Sequence, residues 1–504
     1  MVLISLEFLI FCLLLTVIYY LFPKKLQNLV LLVGNLVFLL SLTYKVAAIV
    51  CLASSILSVY TAARVIQKKR GTRQQQVVFC GTVVLNLLLL LLYKYLPCVQ
   101  AVCDTIHLSA KVPELSAMAP LGISFYTLQL LGYLISVQDG GLSAETNLLR
   151  FAVFGSYFAQ LTSGPIARYE EMECQLSKPR RPSYTALTGG AQRMLWGFFK
   201  KLVISERAAV MVNTVFGSYG VYDGFYIPVA AALFAVQLYT DFSGCMDIVL
   251  GMSQILGLAL PENFRTPFFS TSMTEFWRRW HITLGAWCRD YVFYPLQKTE
   301  LFIRLRERSV KRFGRKKGKK LPMYLAMFLM WFVVGFWHGG YLKYIIGSGL
   351  LHFCYIVIEQ EGTPLWGCIN RLLHIRTESA GHTAFQRIRT FLLVCSGFVF
   401  FRSDSVAEAL HMFGAITSWN PVVFTLNGIE AMGLDLPDLL VLLLAVLLLA
   451  FVETLQQKAP VREMLAGQSL PVRWLLLLGL FLIVIILGQY GPGFEAEAFI
   501  YAAF

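Results

Sequence analysis

The chain has 504 residues, of which 57% are hydrophobic, 14% aromatic and only 14% charged, against about 25% charged in a soluble globular protein. Its mean hydropathy of +0.64 comes from apolar segments along the whole length, which excludes a soluble enzyme and predicts an all-α, polytopic membrane protein. The net charge of +14 is explained more simply by basic cytoplasmic loops than by nucleic-acid binding.

Taken in chain order, apolar runs at 2–22, 27–43, 46–66 and 77–97 are each long enough to cross about 30 Å of hydrocarbon. The first lacks a basic leader and a small-residue cleavage site, so it reads as a retained helix and not a signal peptide. Lys24 and Lys25 follow the first run and Lys68, Lys69, Arg70 and Arg73 the third, which puts both loops inside and the N-terminus outside. The charge-poor stretch 98–118 is then extracytoplasmic, and a helix near 119–137 returns. Basic residues flank the stretch 148–164 on both sides, so a re-entrant or surface-lying segment is expected there. Segments 190–212 and 226–258 follow, the second interrupted by Asp241, Ser243, Gly244 and Asp247. Between Leu301 and Lys320 lie ten basic residues and one acid, Glu307, the clearest cytoplasmic loop in the chain. Spans at 322–338, 341–359, 386–403, 437–452 and 473–491 follow, with 405–418 a weaker candidate, and the count is about 11 with an uncertainty of two. Lys458 and Arg462 place the preceding loop inside and the C-terminus outside. One membrane-embedded domain, 1–504, is expected, with a motif-bearing core at 120–360 and peripheral helices at 1–100 and 386–504. No Cys/His grouping has zinc-site spacing, so neither a metal nor a disulfide framework is expected.

Ionisable groups at lipid depth cost roughly 2.5–3.5 kcal/mol each on insertion scales, so each asks for a reason. His338, in WFVVGFWHGGYLKY, is the sharpest case, flanked by Gly335, Gly339 and Gly340, which admit a neighbouring helix or a ligand. A histidine that only bonds the next helix is the competing reading, and for His352 it is the better one. In MTEFWRRWHITLGAWCRDYVFYPL, a helical period puts Trp277, Trp280, Leu284, Trp287 and Tyr291 on one stripe, Glu275, Arg278 and Arg289 opposite, and His281 at the border. Such a helix suits the membrane interface, either as an anchor or as the floor of a cavity where Arg278, His281, Arg289 and Asp290 meet an anionic or thioester-bearing donor. Asp241 and Asp247 would serve a proton-coupled transporter, or orient basic residues in an enzyme. The basic loop 301–320 is a topology determinant and a lure for anionic membrane lipid, with a nucleotide-bearing cofactor or an acidic acyl-carrier protein as the alternative partner.

At these residues the chain resembles the membrane-bound O-acyltransferase family, in the bacterial branch that includes the alginate O-acetyltransferase membrane subunit and the teichoic-acid D-alanylation subunit. The similar stretches are PLGISFYTLQLLGYLISV at 120–137, LTSGPIARYEE at 161–171, LYTDFSGCMDIVLG at 238–251, PENFRTPFFSTSMTEFWRRWHITLGAWCRDYVFYPL at 261–296 and GFWHG at 335–339. PENF, TEFWRRWHI and RDYVFYPL look most like the polysaccharide O-acetylating members. The resemblance implies helices around a central funnel or tunnel, with His338 matching the family's characteristic histidine and His281 its second. It also implies donor- or substrate-binding roles among Arg278, Trp280, Arg289, Asp290, Asp241, Ser243, Asn263 and Trp337, and an extracytoplasmic partner protein that passes the acyl group to a polysaccharide.

Acyl transfer from a thioester to a hydroxyl needs a base and a stabiliser for the developing oxyanion. A neutral, buried imidazole suits the first role, and His338 is the candidate. Without a GxSxG elbow or a Cys/His pair, direct transfer in a ternary complex is the simpler course. The expected donor is acetyl-CoA or another acyl thioester, held as substrate with no permanently bound cofactor. The expected location is the bacterial cytoplasmic membrane. D-alanyl transfer to teichoic acids and a non-enzymatic transporter are the alternatives.

Overall fold

The computed structural model describes residues 3–42, 46–105, 120, 122–162, 164–491 and 494. Much of the predicted extracytoplasmic stretch 98–118 and most of the C-terminal tail lie outside the described residues. The described chain is helical, with no strand.

In chain order the main helices are α1 (Leu6–Leu21), α2 (Gln27–Leu42), α3 (Val46–Lys68), α4 (Arg73–Leu90), α5 (Ile123–Gln138), α6 (Leu148–Ser156), α7 (Tyr184–Phe198), α8 (Glu206–Gly217), α9 (Tyr226–Ile255), α10 (Met273–Arg279), α11 (Ile282–Cys288), α12 (Glu300–Gly318), α13 (Lys320–Trp337), α14 (Leu351–Leu372), α15 (Ala380–Arg402), α16 (Leu436–Gln456) and α17 (Leu470–Leu487). Among the described residues nine helices are long and apolar enough to cross a membrane. Their outward faces are oily, as lipid-facing surfaces must be: Leu443, Leu444, Leu447, Phe451, Leu475 and Ile486 are all more than half exposed. The protein is therefore an all-α, polytopic membrane protein.

The chain forms two compact units. The first comprises residues 1–199 and 242–262, the second 200–241 and 263–497. In the first unit, the stretch 148–164 is too short to cross. It breaks at Tyr157 into α6 and a turn of helix at Phe158–Leu161, and Asn35 of α2 bridges the break. Its amide donates to Ser156 Oγ at 3.3 Å and its oxygen accepts from the Phe158 N–H at 3.1 Å. The buried rings of Phe151, Phe154 and Phe158 hold the segment inside protein. Glycines bring α7 and the later part of α9 together: a Cβ on Gly197 would meet the Gly244 oxygen at 2.6 Å, and one on Gly190 the Gly251 oxygen at 2.5 Å. Gly244 thus serves close approach, and α9 runs unbroken past Asp241 and Ser243 where an interruption was predicted.

The second unit has its own seam. A Cβ on Gly335 of α13 would lie 2.7 Å from Ile345 Cα, and one on Gly349 would lie 2.6 Å from the Trp331 oxygen. Ile345–Leu350 is a π-helical stretch leading into α14, and a Cβ on its Gly347 would lie 3.0 Å from the Gly397 oxygen of α15. In lipid, where no hydrophobic force joins helices, such backbone approach supplies the association. Two sequence expectations change here. The basic stretch 301–320 is mostly helix, α12, kinked at Gly314. The single amphipathic helix expected over 273–296 is two short helices, α10 and α11, followed by a π-helical turn at Arg289–Phe293.

Gly349→Ala is expected to cost about 1–3 kcal/mol by overpacking the seam, read as a lower thermal midpoint of the solubilised protein. Gly81→Ala in α4, where a Cβ meets nothing within 4 Å, should leave the midpoint unchanged or raise it; equal effects at both positions would contradict the seam.

Candidate active site

The site is built in the second unit, at the junction of α10 and α11. Trp280 leaves the helix in extended conformation and His281 adopts a left-handed backbone, φ 45° and ψ 51°, before α11 begins. A left-handed non-glycine residue is rare and persists only where its surroundings impose it. The imposing residue is Asn263, in the PENF stretch. Its oxygen accepts from the Thr283 backbone N–H at 3.1 Å and the Thr283 hydroxyl at 2.9 Å, and its carbonyl accepts from the Ile282 N–H at 3.0 Å. The same side-chain oxygen lies 3.3 Å from His281 Nδ1. Because a backbone N–H already identifies that atom as an acceptor, Nδ1 must be the protonated nitrogen of His281, which leaves the lone pair on Nε2. The ring is 2% exposed, and burial pushes it down to about 3 from its ordinary value near 6.5, so it is neutral at physiological pH.

His338 follows the last residue of α13 and is 3% exposed. Gly339 and Gly340 behind it have φ of 148° and 79°, conformations that a side chain would strain, so the glycines that drew attention in the sequence turn the chain sharply there. Trp337 contacts both histidines: its ring centroid is 5.8 Å from that of His281 and 5.0 Å from that of His338. Phe401 of α15 also packs on His338, with ring centroids 5.6 Å apart. The structure thus brings His281, Asn263, Trp337 and His338 into one cluster.

The remaining expected site residues go elsewhere. Trp280 is 1% exposed and packs among Tyr239, Phe264, Phe276 and Phe398, away from the predicted stripe. Arg278 is exposed, and Arg289 pairs with its neighbour Asp290 at 3.0 Å. Asp241 lies 2.8 Å from Lys201 Nζ, which also meets Glu206 at 2.6 Å, and all three are buried. Ser243 is buried in the first unit. Asp247 and Glu262 there bind Arg193, at 2.8 Å and 2.5 Å. The sequence reasoning missed Lys200, Lys201 and Glu206, although KK and ER, four residues apart in the apolar run 190–212, were a visible breach of the membrane rule.

A model of the membrane-bound O-acyltransferase family matches residues 38–306, more than half of the chain, and the chain belongs to that family. Over 325 residues it is 33% identical to the probable alginate O-acetylase of Pseudomonas syringae pv. tomato, covering 64% of this chain and 57% of that protein. It is 29% identical over 437 residues to the probable alginate O-acetylase of Azotobacter vinelandii, 86% of this chain and 81% of the relative. It is 28% identical over 339 residues to the teichoic acid D-alanyltransferase of Bacillus subtilis, 64% of this chain and 77% of the relative. The chain spans 57% to 62% of the length of its Pseudomonas relatives.

Two outcomes test this geometry. Between pH 6.5 and 3 the unfolded chain binds a proton at residue 281 that the native ring refuses, so the native state loses up to about 1.4 kcal/mol per pH unit on acidification and nothing above pH 6.5. His281→Gln should flatten the fall of the thermal midpoint between pH 6.5 and 4.5; an unchanged slope would remove the buried neutral ring. Lys201→Met, which leaves Asp241 and Glu206 without their shared cation, should destabilise by about 3–5 kcal/mol, and adding Asp241→Asn should restore part of that loss.

Proposed function

We propose that this protein is a membrane-bound O-acyltransferase that moves an acyl group, acetyl foremost, from a cytoplasmic thioester to a hydroxyl of an extracytoplasmic polysaccharide or of a partner protein that passes it on. The observation that carries this reading is that the buried rings of His281 and His338 both contact Trp337, with the tautomer of His281 set by Asn263. Family membership and relatives named for O-acetylation of alginate support it.

In the reaction His338 takes the proton as the acceptor oxygen attacks the thioester carbonyl. The carbonyl oxygen gains negative charge, the C–S bond breaks, and the thiolate leaves with the proton that His338 returns. His281, through the lone pair on Nε2, accepts a hydrogen bond from a second donor group of the acceptor molecule and so holds the attacking hydroxyl toward His338. The indole N–H of Trp337, whose ring lies against both imidazoles, is the proposed donor to the carbonyl oxygen. Acetyl-CoA is the proposed donor, used as substrate in the cytoplasmic membrane, with both chain ends outside. One domain with a core at 120–360 and peripheral helices at 1–100 and 386–504 remains the proposed organisation.

D-alanyl transfer from an acidic carrier protein is the second reading, favoured by the exposed basic surface of α12 and by the teichoic acid D-alanyltransferase relative. Non-enzymatic transport has less support, because Asp241 and Asp247 each face a cation, Lys201 and Arg193 respectively.

His338→Ala should remain folded in the membrane and lose acyl transfer by at least 100-fold, in line with the typical worth of a general base. Loss of radiolabel from acetyl-CoA by the purified protein, with a hydroxyl acceptor, measures this. Transfer at the parental rate in the variant would remove His338 from the mechanism.

A further inference from the structure

His352, left by the sequence as a packing residue, sits in the second unit at the start of α14 and is 1% exposed. Its ring contacts Trp277 of α10 at 4.9 Å and Trp331 of α13 at 6.1 Å, and the two indoles lie 4.8 Å from each other, so three rings from three helices meet in a triangle. Nδ1 of His352 and Nε1 of both tryptophans are buried, and none has a hydrogen-bond partner among the described residues. A buried polar atom left unsatisfied costs about 1–3 kcal/mol. They belong to three rings in mutual contact, and two obligate donors with one group able to accept match the needs of a single small hydroxylic guest.

We propose that Trp277, Trp331 and His352 enclose a buried water molecule that accepts from both indole N–H groups and donates to the imidazole. Three hydrogen bonds are the usual complement of an internal water. Two of the three elements it joins carry the candidate site. Trp277 lies one turn before His281, and Trp331 lies on α13, which ends at His338. Gly397 allows the imidazole to come this close, since a Cβ there would stand 2.7 Å from His352 Nε2. His352 is therefore a positioning residue. Through the water it holds α10 against α13 and sets the distance across Trp337 between the two histidines. This role rests on the proposed acyl transfer, whereas the water site itself does not.

The full-length protein tests both parts. A density map at a resolution that shows ordered water should contain a peak within about 2.7–3.2 Å of all three nitrogens. An unoccupied triangle overturns the site whether or not the protein transfers acyl groups. His352→Phe, similar in shape and unable to bond the water, should lower kcat at least 10-fold with KM within twofold and leave the thermal midpoint within a few degrees. His352→Asn, which keeps a polar atom near Nδ1, should recover most of kcat. Parental kcat in His352→Phe, or equal loss in both variants, overturns the positioning role. If His352→Phe does not fold, Trp331→Phe supplies the same comparison from the donor side. Failure of the parental protein to consume acyl thioester would sink the proposed function and leave the density test intact.

Discussion

The structure depends on helices touching backbone to backbone. In water, burial of apolar area would drive α13 against its neighbours, but lipid is as apolar as leucine, and the gain must come from dispersion at short range. Gly335 and Gly349 remove the side chains between α13 and the π-helical stretch after it, and Gly347 and Gly397 do the same toward α15. The end of α13 is thereby fixed on two sides, and His338 at that end inherits the rigidity. A site built on packed helix ends is held more exactly than one on loops.

The second constraint is charge. The buried Lys201 faces Asp241 and Glu206, Arg207 meets Asp438 at 2.9 Å, and Tyr239 donates to Glu453. Each is an ionisable group in or beside an apolar segment, and each is answered by another from a different helix or turn. Such pairs add little net stability relative to an apolar core, yet the loss of one partner is costly. They therefore specify which helices meet. Asp241, which the sequence offered as a coupling acid or an orienting one, is bound to Lys201.

Much of the fold was legible because hydropathy over 18 or more residues reports the solvent directly. The runs at 27–43, 46–66, 437–452 and 473–491 became α2, α3, α16 and α17 with shifted ends. The stripe drawn through Trp277, Trp280 and Trp287 was not legible, since it assumed one helical phase from 273 to 291. A left-handed His281 resets that phase, and its cause, Asn263, lies 18 positions upstream. Helical periodicity carries no information about a bond between segments. The same blindness hid Lys201, whose partner Asp241 is 40 residues away. The basic stretch was read as a loop from its charge alone, although Arg, Lys, Leu and Glu are all good helix formers. The two histidines were legible as anomalies, and their meeting at Trp337 was not.

That meeting divides the labour between them. Asn263 commits its side-chain oxygen to Thr283 and meets His281 Nδ1 with the same atom, so turning Nδ1 toward a substrate would cost His281 that hydrogen bond. Its reactive edge is fixed as Nε2, and burial keeps the ring neutral well below physiological pH. His338 is held differently, at the end of α13 with two glycines behind it whose φ values no side chain favours, and its ring meets those of Trp337 and Phe401. In the proposed reaction the ring set by Asn263 orients the acceptor and the ring at the end of α13 is the base.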